Sequence, residues 1–130
     1  MQGIHHLGLS VSDLEGSCRF FREILGWLVI RRVDEYPGIF VSNESIMFTL
    51  WQTSLDAHAF DRRNNVGLHH VAVQVDSESE LSALYERLRS ADGVTFEFSP
   101  EFLREGPAKH MICYDPSGIR IEFIWVPELL

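Results

Sequence analysis

The chain has 130 residues, 45% of them hydrophobic and 23% charged, so it can fold as a globular protein without a disulfide or a structural metal. Its formal net charge of −8 is offset by no cluster of Lys and Arg, which argues against a nucleic-acid partner. The two cysteines form no CxxC motif, and no signal sequence or apolar run of roughly 18 residues is present. We therefore expect a cytoplasmic protein with no membrane partner.

A ten-residue segment occurs twice along the chain. Residues 3–12 read GIHHLGLSVS, and residues 67–76 read GLHHVAVQVD. After a pair of histidines, each copy alternates apolar residues with small or polar ones, which predicts a β-strand. The repeat indicates that the chain consists of two modules of the same construction.

Each predicted strand leads into a predicted helix. The Ser-Asp pair at 12–13 can cap the first helix, which Gly26 ends, and the Asp-Ser pair at 76–77 can cap a second helix over 78–91. Short strand-like runs follow each helix, at 27–34, 39–42 and 45–52 in the first copy and at 94–98, 108–114 and 118–126 in the second.

These elements predict an α+β fold made of two β-α-β-β-β modules. We expect one domain over 1–130, with a first module at about 1–52, a linker at 53–66 and a second module at about 67–130. A module of roughly 60 residues cannot easily bury a sheet face alone, so the two sheets should share a cleft.

The paired histidines are candidates for metal ligands. Strand alternation puts His6 and His70 on the face of small and polar residues, and His5 and His69 on the apolar face. Histidines at the same position of two repeats suit a metal site in the cleft. Hydrogen-bonded histidines at strand ends are the alternative.

The last apolar run, 119–126, contains an unusual carboxylate. Glu122 and Arg120 share one face of the predicted strand, and a carboxylate in such a run is costly unless it is paired or binds a metal. An ion pair with Arg120 is the simpler possibility. Together with His6 and His70, Glu122 would leave open positions on a divalent ion, for which iron, manganese, nickel, cobalt and zinc are all suitable.

Several stretches of the sequence resemble one known superfamily, the vicinal oxygen chelate proteins. This superfamily includes glyoxalase I, fosfomycin and bleomycin resistance proteins, methylmalonyl-CoA epimerase and extradiol dioxygenases. The matching stretches are HLGLSVSDL at 6–14, FFREILG at 20–26, HVAVQV at 70–75 and DPSGIRIE at 115–122.

The resemblance covers essentially the whole chain. It implies a cupped, barrel-like mixed sheet with the helices outside, metal ligands at His6, His70 and Glu122, and a homodimer.

The resemblance also bears on the reaction. Glyoxalase I carries a glutamate late in the last strand of its first module, whereas residues 46–52 here read IMFTLWQ, and Gln52 could substitute only if the alignment shifts. We therefore favour dioxygenase chemistry on a small oxygenated organic substrate. A glyoxalase-like lyase or isomerase comes second, followed by a fosfomycin-type thiol transferase and a metal-free ligand-sequestering protein.

Four further residues are candidates for direct roles at the site. His110 and Tyr114 lie in a stretch similar to the dioxygenase segment that carries a histidine and a tyrosine, although the spacing differs, so acid–base roles are predicted for them. Lys109 and Arg120 could hold a substrate carboxylate or phosphate. Ion-pair partners and packed strand residues are the alternatives for these side chains.

Overall fold

The structure is a computed structural model that describes residues 1–128. Residues 129 and 130, which the predicted second module includes, lie outside the described residues. The chain forms two compact units: the first is Met1–Ala59, and the second begins at Phe60. The boundary falls within the segment predicted as the linker.

The first unit contains one helical segment and a four-stranded mixed sheet. The sheet order is β1-β4-β3-β2, with β1 parallel to β4 and the other neighbours antiparallel. The Asp13 side chain caps the helix by accepting a hydrogen bond from the Gly16 amide. The elements are β1 (Leu7–Val11), α1 (Leu14–Arg19) continuing into a π-helical turn (Phe20–Ile24), β2 (Leu28–Val33), β3 (Gly38–Ser42) and β4 (Met47–Gln52).

The second unit repeats this topology. Its sheet order is β5-β8-β7-β6, with β5 parallel to β8 and the other neighbours antiparallel. Ser77 caps its helix by accepting a hydrogen bond from the Glu80 amide at 3.0 Å. The elements are β5 (Val71–Val75), α2 (Glu78–Arg89), β6 (Thr95–Phe102), β7 (Lys109–Tyr114) and β8 (Arg120–Trp125). The predicted α+β class with two β-α-β-β-β modules is confirmed.

One strand is longer than predicted. The predicted strand covers 94–98, whereas β6 runs from Thr95 to Phe102. Its register against β7 shifts between Phe96 and Phe98 and again between Phe98 and Glu101. Because Pro100 lies at the second irregularity, its missing N–H does not interrupt a regular ladder.

In both units one face of the sheet packs against the helix and forms the core. Leu9 and Val11 of β1 are buried there, and Ile121 and Phe123 of β8 are buried on the corresponding face of the second sheet. Cys18 and Cys113 are buried free thiols, and burial raises the pKa of Cys113 to about 12. Among residues 1–128, no helix is long and apolar enough to cross a membrane.

Candidate metal site and its supporting network

The face of the second sheet opposite α2 carries the candidate ligands of this unit. Glu122 on β8 lies between Ala72 on β5 and Ile112 on β7 in the strand register. His70 immediately precedes β5, and His110 is two residues before Ile112 on the same face. The sheet therefore assembles two histidines and a glutamate that are far apart in sequence.

The carboxylate of Glu122 is close to both histidines. Its Oε2 atom lies 3.4 Å from His110 Nδ1 and 3.9 Å from His70 Nε2. The Glu122 side chain is only 13% exposed. A carboxylate this enclosed is costly without partners, and the two imidazoles are the groups positioned to provide them.

His110 has an unusual environment for a polar side chain. It is 8% exposed, and its Nδ1 atom is a buried nitrogen without a hydrogen-bond partner in the described residues. Its ring packs against Phe98 with centroids 4.8 Å apart, and its Nε2 lies 3.9 Å from a Glu101 oxygen. An unsatisfied buried nitrogen facing a carboxylate is typical of a site that binds something further.

The donor set suits a divalent transition metal. Imidazole nitrogens and a carboxylate oxygen are its common ligands, and donors that share one ion at bonds of about 2.0–2.2 Å lie at most about 4 Å apart. The 3.9 Å between His70 and Glu122 is within that limit. Within either unit, as far as residues 1–128 extend, no group of three His, Cys, Asp or Glu side chains has the spacing of a complete metal site.

Arg120 lies on the same face as Glu122 but pairs with Glu97 of β6. Two hydrogen bonds join them, from Nε to Oε1 at 3.2 Å and from Nη2 to Oε2 at 2.8 Å. Arg120 is 7% exposed. The possible Arg120–Glu122 ion pair is therefore not formed, because the irregular strand β6 supplies a second carboxylate that strand alternation could not reveal.

Glu97 is the centre of a polar network. The Tyr114 hydroxyl donates to Glu97 at 2.6 Å, and Arg62 Nη2 donates to the same carboxylate at 3.3 Å. Hydrogen bonds from Arg120, and then from Tyr114, hold the pKa of Glu97 at about 2. The proton of Tyr114 thus points to Glu97, and the predicted substrate ligand Arg120 is in an ion pair.

His69 lies at the junction of this network and the candidate ligands. Its Nδ1 atom is 3.3 Å from Arg120 Nη1 and 2.7 Å from His70 Nδ1. Desolvation, followed by the charge of Arg120, lowers the pKa of His69. The prediction that His69 lies on the apolar face is wrong, because the residue precedes β5 and strand alternation does not extend to it.

Lys109 is on the opposite side of the second sheet from His110. Its ammonium forms an ion pair with Glu78 at the start of α2 and lies 4.7 Å from the centroid of the Phe102 ring. Successive residues of a strand point to opposite faces, so Lys109 faces the helix. Lys109, a predicted substrate ligand, is therefore an ion-pair partner of Glu78.

The first unit contains the third candidate ligand. His6 precedes β1, is exposed, and its Nδ1 atom lies 2.9 Å from that of His5. Gly8 pairs with Thr49 of β4 just as Ala72 pairs with Glu122 of β8. The position equivalent to Glu122 is therefore occupied by Thr49.

Thr49 and Gln52 both have structural roles. Thr49 is 2% exposed and accepts a hydrogen bond from the Trp51 indole N–H at 3.0 Å. Gln52 accepts from the Leu14 amide and donates to the Ser12 carbonyl, which fixes the start of α1. The first unit thus presents no fourth acid at this register position.

Aromatic side chains cover the same face of the first sheet. The Trp51 ring lies 5.4 Å from the centroid of Tyr36 and 5.5 Å from that of Phe40. Gly38 makes room for it, since a Cβ atom there would lie 2.6 Å from the Trp51 ring. This surface suits contact with an apolar or aromatic group.

Two residues of the network were not identified from the sequence. Glu97 stands between two phenylalanines in a strand, the same signal that singled out Glu122, and could have been found in that way. Arg62 lies in the linker region, where no periodicity points to a contact. Its position depends entirely on the tertiary fold.

Comparisons with known proteins agree with this architecture. The model of the glyoxalase/bleomycin resistance protein/dioxygenase superfamily matches residues 3–123. A lactoylglutathione lyase of Neisseria meningitidis serogroup A is 32% identical over 133 aligned positions, covering 92% of this chain and 87% of the relative.

Solved structures also resemble the chain. A glyoxylase/bleomycin resistance protein/dioxygenase domain from Frankia has a TM-score of 0.84 at 28% identity, covering 98% of this chain and 94% of that one. The fosfomycin resistance protein FosX from Listeria monocytogenes has a TM-score of 0.74 at 20% identity, covering 98% and 95%, and shows a shared fold. The predicted resemblance is confirmed: the chain belongs to the glyoxalase/bleomycin resistance protein/dioxygenase superfamily.

Proposed function

We propose that the chain is a divalent-metal-dependent enzyme that acts on a small oxygenated organic substrate, with His6, His70 and Glu122 as the metal ligands. The observation that carries this proposal is the enclosed Glu122 carboxylate with His110 at 3.4 Å and His70 at 3.9 Å. An enclosed carboxylate is costly unless it is paired, and a metal ion shared with an imidazole would supply that pairing.

The residues of the site divide into ligands and supporting groups. A bound divalent ion would act as a Lewis acid with open positions for substrate oxygens. Glu122 contributes the negative charge that holds the ion, and His110 presents Nδ1 beside it as a group that can take up or release a proton. Arg62 and Arg120 both pair with the single carboxylate of Glu97, and the positive charge that this pairing leaves over favours an anionic substrate.

Dioxygenase chemistry is the reaction class that we propose first. Two histidines and one glutamate leave positions on iron for both an aromatic diol and dioxygen. Thr49 at the position equivalent to Glu122 supports this preference, because the first unit lacks the glutamate that glyoxalase I uses. The aromatic surface around Trp51 is compatible with an aromatic substrate.

A lyase or isomerase reaction of the glyoxalase type is the second candidate. It is favoured by the two Neisseria relatives, which are both named lactoylglutathione lyase and are 32% identical to this chain. Thiol transfer and metal-free sequestration rank below it. Catechol-dependent oxygen uptake would support the first class, and isomerisation of a hemithioacetal would support the second.

Cobalt titration tests the ligand role of Glu122. In Glu122→Gln the visible absorption of bound Co²⁺ is expected to appear only at concentrations at least about 10-fold higher than in the wild type, because the anionic ligand is lost. Glu101→Gln is the matched control, since Glu101 also lies near His110 but is largely exposed. Equal Co²⁺ affinity of the wild type and Glu122→Gln would contradict the proposal.

A further inference from the structure

Each repeat contains two adjacent histidines whose Nδ1 atoms lie within hydrogen-bonding distance of each other. The separation is 2.9 Å between His5 and His6 and 2.7 Å between His69 and His70. At such distances one ring must carry a proton on Nδ1 and the other must accept it. The contact alone does not decide which ring is the donor, and the two choices leave different nitrogens of His70 free.

In the second repeat Arg120 decides the direction. Its Nη1 atom lies 3.3 Å from His69 Nδ1, and a guanidinium group only donates hydrogen bonds. Nδ1 of His69 is therefore the acceptor, shared between Arg120 and His70. The proton in the 2.7 Å contact then belongs to Nδ1 of His70.

This direction fixes the metal-binding nitrogen of His70. A neutral imidazole with its proton on Nδ1 has its lone pair on Nε2. Nε2 is the atom of His70 that lies 3.9 Å from Glu122. The lone pair therefore faces the carboxylate that we propose as its partner ligand.

The arginine itself is held in place. Its Nε and Nη2 atoms donate to the two oxygens of Glu97, so the planar guanidinium cannot turn away from His69 without losing both bonds. Glu97 is in turn fixed by the Tyr114 hydroxyl. The chain of contacts thus runs from Glu97 through Arg120 and His69 to His70.

The first repeat has no arginine at the position equivalent to Arg120. Since Gly8 pairs with Thr49 and Ala72 with Glu122, the position equivalent to Arg120 is Met47. A methionine side chain has no N–H to donate. The direction of the His5–His6 contact is therefore not set by a group at this position.

We infer that Arg120 and His69 are positioning residues that hold His70 in the Nδ1-protonated form and aim its Nε2 at the metal. The inference rests on the proposed function in taking His70 as a metal ligand. Partners that orient a metal-binding histidine in this way commonly contribute 10- to 100-fold to metal affinity, as an order of magnitude.

Nitrogen-15 NMR of the metal-free protein tests the protonation directly. At about pH 9, where imidazoles are neutral, wild-type His70 is expected to be protonated on Nδ1 and unprotonated on Nε2. In His69→Phe, which changes an exposed ring, His70 should become a mixture of both forms. His5→Phe is the matched control and should leave the His70 signals unchanged.

A second variant tests the arginine. Arg120→Met removes the donor and is expected to weaken the preference of His70 for Nδ1 protonation as His69→Phe does. Because Arg120 is buried, His69→Phe keeps the test decisive if Arg120→Met does not fold. A wild-type His70 protonated on Nε2, or one unaffected by His69→Phe, would overturn the inference.

Metal affinity separates this inference from the proposed function. We expect His69→Phe to bind Co²⁺ about 10-fold or more weakly than the wild type in competition with a chelator. If the wild type binds Co²⁺ but His70 is protonated on Nε2, the inference about Arg120 and His69 is overturned and the proposed function is not. A wild-type chain that binds no metal would overturn the proposed function and the ligand role of His70 with it.

Discussion

Glu97 is the residue on which the polar network of the second unit depends. It accepts hydrogen bonds from Arg120, Tyr114 and Arg62, and its pKa is held at about 2. A carboxyl group whose pKa is lower in the folded than in the unfolded chain stabilises the fold at neutral pH. That contribution is complete above the unfolded pKa of about 4.5 and is lost as the pH falls towards 2.

This gives a pH-dependent prediction for Glu97→Gln. The wild type should exceed the variant in free energy of unfolding by a constant amount above about pH 5. This difference should shrink by about 1 kcal/mol between pH 5 and pH 3, a value reduced for solvent screening of this partly exposed group. Urea unfolding at constant ionic strength measures it, and a difference independent of pH would contradict the account.

At the level of single residues, sequence reasoning predicted two of the candidate ligands that come close together in the structure. The repeat pointed to His70 and the apolar run 119–126 pointed to Glu122, and Nε2 of His70 lies 3.9 Å from Oε2 of Glu122. The same reasoning could not find the pairing of Arg120 with Glu97, because that contact joins separate strands across an irregular register. Nor could it reveal the contact between His69 and Arg120, which forms before β5 begins.

The close fit of β3 and β4 under the Trp51 ring gives a prediction for one element. A Cβ atom at Gly38 would lie 2.6 Å from this ring, so Gly38→Ala should lower the free energy of unfolding by about 1–3 kcal/mol. At an unhindered position the same change usually stabilises a protein by about 0.4–1 kcal/mol. A decrease in the free energy of unfolding would therefore indicate that the added Cβ atom is hindered, and an increase would indicate that it is not.

The matched background for this variant is Trp51→Leu. Because the shorter side chain removes the contact with the ring, most of the cost of Gly38→Ala should disappear there, leaving only the part due to the Leu50 carbonyl oxygen, 3.2 Å from the added Cβ atom. A double-mutant cycle by urea unfolding would measure the difference. An unchanged cost in both backgrounds would mean that the ring is not the cause.

The sequence predicted most of the secondary-structure elements, but not the π-helical turn or the full length of β6. The repeat predicted both helices and all eight strands, since alternation and capping residues are local signals. The π-helical turn of Phe20–Ile24 carries no local signal that separates it from an α-helix, and the extension of β6 past Pro100 depends on its irregular pairing with β7.

For the whole molecule, we predict a homodimer. Leu28 and Ile30 lie on β2, an edge strand of the first sheet, and both are exposed. Exposed apolar residues on an edge strand favour association with another chain. Sedimentation equilibrium should give twice the chain mass of 15.0 kDa, with Ile30→Lys shifted towards monomer, whereas a monomer at all concentrations would contradict the prediction.

The central claim is that the chain holds a catalytic divalent metal through His70 and its partners. Metal content, measured by elemental analysis after anaerobic purification without chelator, tests it most directly. We predict near-stoichiometric metal in the wild type and in His58→Ala, which changes an exposed histidine outside the proposed site, and loss of metal in His70→Ala. Equal metal content in all three proteins, or a wild type that binds no metal even when it is added, would contradict the account.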